Sequence, residues 1–297
     1  MEATTVSGAR IGPARRSRGL FRDAWGRLRR NPPAMVGLFL IVSLVMLGVF
    51  ADLIAPYDPL AGRLADRLQL PSAEHLMGTD LQGRDVFSRM LFGARVSLMA
   101  GVVAVAVGFL VGGCLGAIAG VFGGWLDPII MRFMDTLLAV PSVLLAIGVV
   151  AWLGRGLGQV MLAVGITYTP VFARLLRGSI LSLREIDYVI AARSAGASRM
   201  RILVRHMLPN ALTPMIVQGT LSLGTAIVTV TALGFLGLGP PDPRTAEWGV
   251  MLTDSIRFLR IAPYLLFFPG AAIVLAVIGF NLLGDGVREA LDPRQRR

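Results

Sequence analysis

The chain has 297 residues, of which 55% are hydrophobic and only 16% charged, with a mean hydropathy of +0.69 and a formal net charge of +11. That is too apolar for an ordinary soluble domain, and the basic residues fall between long apolar runs rather than across one soluble face, which excludes a nucleic-acid binder. All 29 basic residues are Arg, so the chain has no Schiff-base lysine and no phosphate-binding P-loop; its single cysteine, Cys114, excludes a disulfide framework and a Cys-based metal site.

A hydrocarbon layer of about 30 Å needs roughly 20 apolar residues in helix. Runs free of Asp, Glu, Arg and His occur at 34–51, 96–126, 136–154, 156–173, 207–241 and 261–284, which predicts six spans. The first is long for a cleavable secretory signal, despite the small residue Ala51 at its end, and is read as an uncleaved helix. Between the first two runs, the turn-rich string Gly78-Thr79-Asp80-Leu81-Gln82-Gly83-Arg84-Asp85 precedes Val86, Phe87, Met90, Leu91 and Ala94. These lie opposite Arg84, Ser88, Arg89 and Arg95, as in an amphipathic helix at the membrane surface that leads into the second span.

In the second run, which Gly123-Gly124 closes, Ala100, Ala104, Gly108, Gly112, Gly116 and Gly120 recur every four residues. Such spacing lets two helix backbones approach closely in lipid, either within this chain or against a second subunit. Asp135 opens the third run, where snorkelling toward the near membrane face would relieve its burial.

The connection from Arg174 to His206 reads as a helix over 186–195, a turn at Gly196 that suits left-handed backbone, and a second helix from Met200 to Met207. Met200, Leu203, Val204 and Met207 form an apolar stripe in the second helix. Ala191, Ala192 and Ala195 in the first are small enough to enter a groove on another protein. Pro209 and Pro214 open the fifth run. Its Gln218, Ser222, Thr225 and Thr229, at steps of four, three and four, share one face that must meet protein or water, either lining a path or bonding to a neighbouring helix. His75 and His206 fall on opposite sides of the predicted membrane and cannot share a metal or a proton relay, so nothing here points to catalysis.

Arginines near a span resist translocation. The segment before residue 34 carries eight Arg and the 174–206 connection seven, against two acids each, so both are expected in the cytoplasm. The connections at 52–95 and 242–260 are balanced and are expected outside. Six spans with both termini cytoplasmic satisfy these biases.

Ala191-Ala192-x-x-x-Gly196, with Leu208-Pro209 downstream, resembles the EAA loop of binding-protein-dependent ABC importer permeases. Gly78-Thr79-Asp80-x-x-Gly83-Arg84-Asp85 with Gly93-Ala94-Arg95-Val96-Ser97-Leu98 resembles the dipeptide, oligopeptide and nickel branch, second of its two permease subunits. The likeness runs from about Pro32 onward, with Ile190 where the family has glutamate and His206 where it has isoleucine.

The resemblance implies an all-α polytopic membrane protein of type I ABC importer permease-like fold. Its parts would be a cytoplasmic segment 1–33, a first helix 34–55, an extracytoplasmic loop 56–95, a core permease domain 96–285 containing a coupling loop 178–210, and a cytoplasmic tail 286–297. It implies a non-catalytic subunit, with no cofactor of its own and no nucleic acid, in the bacterial inner membrane. Its partners would be a second permease in a heterodimer, two ABC ATPases carrying ATP and Mg, and an extracytoplasmic solute-binding protein. Residues Ile190, Ala191, Ala192, Gly196, Ala197, Leu208 and Pro209 would contact the ATPase, and the solute would be a peptide, a nickel chelate or an opine-like compound. An ion-coupled secondary transporter is the alternative from another class, but it commonly has ionisable groups near the midplane and repeated broken helices, neither of which this sequence suggests.

Overall fold

A computed structural model describes residues 20–240, 242 and 245–291. The arginines expected before residue 20, the end of the fifth run at Pro241 and the tail beyond Leu291 lie outside the described residues. The architecture is helical, and among the described residues the only bridges are the isolated pairs Gly62 with Arg84 and Thr79 with Asp85.

A short helix α1 (Leu20–Leu28) precedes α2 (Pro32–Val49). Asn31 caps α2 by accepting the Ala34 amide at 3.1 Å, and Pro32 and Pro33 occupy the first turn, where no amide hydrogen is needed. After one turn of α3 (Ala51–Ile54) and a loop comes α4 (Val86–Phe122), capped by Asp85 and ended at Gly123. Then follow α5 (Leu126–Ala139), α6 (Ser142–Leu153), α7 (Leu157–Arg184), α8 (Asp187–Ser194) and α9 (Arg199–Ile202). The chain closes with α10 (Leu208–Phe235), α11 (Trp248–Ser255) and α12 (Tyr264–Leu291). Among the described residues, five helical stretches (α2, α4, α7, α9 through α10, and α12) are each long and apolar enough to cross a membrane, and α5 with α6 makes a sixth if counted as one span.

The loop end holds residues 55–85, α11 and the N-terminus of α12, where the Tyr264 hydroxyl donates toward the carbonyls of Gln69 and Thr79 at 2.8 and 2.9 Å. At the opposite end the C-terminus of α12 meets the start of α2 through Asn31 and Glu289 (2.6 Å), and Arg184 at the end of α7 donates to the Gly120 carbonyl of α4. One apolar cluster joins α4, α6, α7 and α10 and takes in Val189, Ile202, Leu203 and Met207 from the α8–α9 segment. A second joins α2, α4, α11 and α12.

Several expectations change. The run 136–154 is not one straight helix, because α5 and α6 meet at 98°. Val140 is extended (φ −91°, ψ 130°), as a residue before proline prefers, and Pro141 starts a new direction. The helix beginning at Val86 runs unbroken into the second span, and the start of its polar face is not at a surface: Ser88 and Arg89 are buried along with Val86, Met90 and Leu91, while Arg95 further on is exposed. The fourth helix continues past Ala173 to Arg184, and Pro214 lies inside α10 rather than at its start. Neighbouring helices make such an interior proline tolerable in a membrane bundle.

The four-residue stripe of small residues packs within the chain. A methyl group placed on Gly112 would stand 2.3 Å from the Thr169 carbonyl oxygen, and one on Gly116 would stand 2.3 Å from that of Ala173, so α4 and α7 meet backbone to backbone.

Candidate functional site

The connection between α7 and α10 folds as a helix, a tight turn and a helix. Gly196 has φ +81°; its amide donates to the Arg193 carbonyl (3.0 Å) and the Ala197 amide donates to that of Ala192 (3.1 Å). These paired bonds are the Schellman closure of α8, and they need a left-handed residue between them. Ser198 then caps α9, and Leu203–Met207 forms a π-helical turn before α10. Pro209 can donate no amide and its ring crowds the carbonyl four residues back, which favours a wider turn at this point.

The wedge has an inner and an outer side. Val189 is fully buried, and Ile202, Leu203 and Met207 join it in the α4–α7–α10 core. Outward lie Ile190 at 44% exposure, Met200 at 55% and Val204 at 56%, with Ile186, Ala191 and Ala195 also exposed, Ala192 and Ala197 half-buried, Leu208 half-buried and Pro209 exposed. The apolar stripe expected of the second helix therefore splits: Leu203 and Met207 face in, Met200 and Val204 face out. Tyr188 latches the wedge to α10, donating to the His206 carbonyl (3.3 Å) and accepting from Asn210 Nδ2 (3.1 Å).

The polar face of α10 is tied together along the helix and across to α7. Gln218 Nε2 donates to Ser222 Oγ at 3.2 Å, Thr225 Oγ1 to the Ser222 carbonyl at 3.0 Å, and Thr229 Oγ1 to the Thr225 carbonyl at 2.9 Å. Ser222 is buried, Gln218 and Thr229 are half-buried and Thr225 is exposed. The hydroxyl of Tyr168, from α7, lies 2.8 Å from Thr225 Oγ1. A lone tyrosine in an apolar run gave no reason to single it out.

Asp135 pairs with Arg174 at 2.5 Å rather than snorkelling alone, and Asp127 pairs with Arg177 through two contacts of 2.5 and 2.6 Å. Both pairs fix α5 to α7 near the wedge.

At the loop end the Gly78 to Asp85 string is a buried clasp rather than an open surface. Asp80 accepts from the amides of Gln82 and Arg84 (both 2.9 Å) and from Arg84 Nε (2.6 Å), with Arg89 Nε at 3.5 Å. Asp85 accepts from the Ser88 amide and hydroxyl, both at 2.7 Å, and contacts His75 Nδ1 at 3.0 Å. Thr79 is fully buried and donates to the Asp66 carbonyl. Nearby, Glu247 is buried and caps α11 through the Gly249 and Val250 amides, both at 2.9 Å; burial pushes its carboxyl above the usual range, and those amides and Ser97 oppose the shift. His75 at this end and His206 at the other share no site.

Residues 112–297 match the family described as the binding-protein-dependent transport system inner membrane component, and residues 19–71 match the N-terminal transmembrane domain of oligopeptide transport permease C. A dipeptide transport system permease protein, DppC, of Alkalihalophilus pseudofirmus is 47% identical over 276 residues, which is 93% of this chain and 90% of that protein. A glutathione transport system permease protein, GsiD, of Pectobacterium atrosepticum is 45% identical over 278 residues, 92% of this chain and 91% of that one. The MetNI methionine ABC transporter in an inward-facing conformation contains a chain of similar fold, with a TM-score of 0.55 at 20% identity, covering 68% of this chain and 96% of that one.

Proposed function

The chain belongs to the family of binding-protein-dependent transport system inner membrane components, multi-pass proteins of the bacterial inner membrane, and from that membership we propose that it moves peptides inward as one permease of an ABC importer. The observation that carries this reading is the α8–α9 wedge, whose inner side belongs to the helical core while its outer side offers Ile190, Met200 and Val204 to a partner. An ATPase on a separate chain, with ATP and Mg, closes against that outer side, and the core passes the movement to α4, α7 and α10. A second permease, a second ATPase and an extracytoplasmic solute-binding protein complete the complex. The dipeptide and glutathione names of the relatives favour a peptide over a nickel chelate. Residues 178–210 are the coupling loop and face the cytoplasm, together with both termini.

The Gln218, Ser222, Thr225, Thr229 face lines the solute path, with Thr225 as its most open member. The buried Gly78 to Asp85 clasp holds the extracytoplasmic loop against α4 and α12 without itself meeting solute.

Two measurements test these assignments. In a Cys114→Ser background, Ser72→Cys should react with a membrane-impermeant thiol reagent in intact cells, and Ser198→Cys should react only after permeabilisation. The reverse pattern inverts the orientation. For the path, Thr225→Trp in the complete importer should leave assembly intact and abolish most uptake in proteoliposomes, because an indole has no room to yield in a conduit shared with solute. Undiminished uptake returns the face to a packing role.

A further inference from the structure

Counting hydrogens on the α10 face gives it a polarity that residue types alone do not. Each threonine hydroxyl has one hydrogen. Thr229 places its hydrogen on the Thr225 carbonyl, and Thr225 places its own on the Ser222 carbonyl. The 2.8 Å contact between Tyr168 and Thr225 can then be made only if Tyr168 is the donor and Thr225 Oγ1 the acceptor. Thr229, one turn along, has likewise spent its hydrogen. Lower on the face, Gln218 gives one of its two amide hydrogens to Ser222. Every hydroxyl hydrogen of this Tyr–Thr–Thr cluster is thus turned into protein, and what the cluster leaves outward is oxygen lone pairs. Thr225 is the exposed member, and no charged side chain stands in the cluster.

We infer that Tyr168, by donating into Thr225, sets the Thr225–Thr229 level of the path as an acceptor surface that favours solutes presenting N–H donors, the amide and ammonium groups of peptides. Tyr168 is a positioning residue for this selectivity. Removing its hydroxyl frees Thr225 Oγ1 from its fixed donor and lets that exposed side chain turn, so the acceptor array loses its order while packing of the ring is kept. The inference rests on the reading of this face as the solute path. It adds which chemical feature of the solute the path recognises, and it predicts indifference to the charge of peptide side chains at this level.

The test uses two dipeptides of identical composition and charge: glycylalanine, which has an amide N–H, and glycylsarcosine, in which a methyl group replaces it. The complete importer is reconstituted in proteoliposomes, and uptake is measured with the solute-binding protein saturated by each isomer in turn. The wild type should move glycylalanine faster by a factor of roughly three to ten, the range for one hydrogen bond made in transit. Tyr168→Phe should bring the two rates to within about twofold. An unaltered ratio in Tyr168→Phe, or no discrimination by the wild type, overturns the inference while leaving the path intact. Thr225→Trp separates the two ideas: if both isomers still pass at the normal rate, the path reading itself falls and this inference falls with it.

Discussion

A Gly196→Val variant should insert and assemble normally, yet lose most transport and most of the ATP hydrolysis that loaded solute-binding protein stimulates. Residue 196 sits at φ +81°, and a Cβ there would meet nothing within 4 Å, so the cost is one of backbone conformation and not of space. A left-handed backbone costs an L residue about 1–2 kcal/mol, and a β-branched side chain sits at the upper end. If the backbone relaxes out of that region, the bonds from Gly196 to Arg193 and from Ala197 to Ala192 open, and the end of α8 turns away from Ile190's present position. None of the long helices depends on that turn. The expected order of severity is therefore Val, then Ala, then Asn, since Asn visits the left-handed region most readily. Uptake and stimulated ATP hydrolysis in the reconstituted complex supply the measurement, with assembly checked by co-purification of the ATPase. A fully assembled Gly196→Val complex that transports at the wild-type rate would remove the wedge from any coupling role.

Gly112→Val should fail earlier, at folding. A Cβ on residue 112 would lie 2.3 Å from the Thr169 carbonyl oxygen, 2.9 Å from the Phe172 Cβ and 3.1 Å from the Ala173 nitrogen, so two of the three obstacles are backbone and cannot step aside. Overpacking a well-filled contact costs roughly 1–3 kcal/mol when side chains can yield, and a backbone collision belongs at or above that range. The helices must then separate along the seam that holds α4 to α7, which also carries the core under the wedge. The variant should appear at low level in membranes, and what is extracted should show a lowered unfolding temperature and aggregation on size exclusion. Gly178→Ala is the control on the same pair of helices, because a Cβ there meets nothing within 4 Å and alanine is the better helix former. Wild-type yield and thermal stability in Gly112→Val would refute the close approach.

What is legible in the sequence is what depends on local chemistry. Gly196 was legible because left-handed backbone after a helix selects glycine within a few residues of chain. Long apolar runs were legible because lipid demands length and hydropathy and little else. The bend in the third run is not legible in hydropathy, which ignores what Pro141 does to Val140. The stripe at Met200, Leu203, Val204 and Met207 assumes 100° per residue, which fails where the turn is π. Tyr168 and the Asp127–Arg177 pair were invisible for a different reason: their partners lie 57 and 50 residues away, and only packing brings them together. The clasp motif was found by its letters, while its burial, and hence its role in holding the loop, needed the fold.

The π turn at Leu203–Met207 also fixes an angle. A turn of this kind holds one residue more than the α turn it replaces, which is worth about 100° of rotation about the axis and 1.5 Å along it. It therefore works as a phase offset between two faces of one continuous rod: Met200, on the exposed outer side of the wedge, and Thr225, on the polar face of α10. Were those five residues wound as ordinary α-helix, the chain would keep its composition, its span length and its caps. It would nevertheless present one of those faces about a quarter-turn out of register with the other.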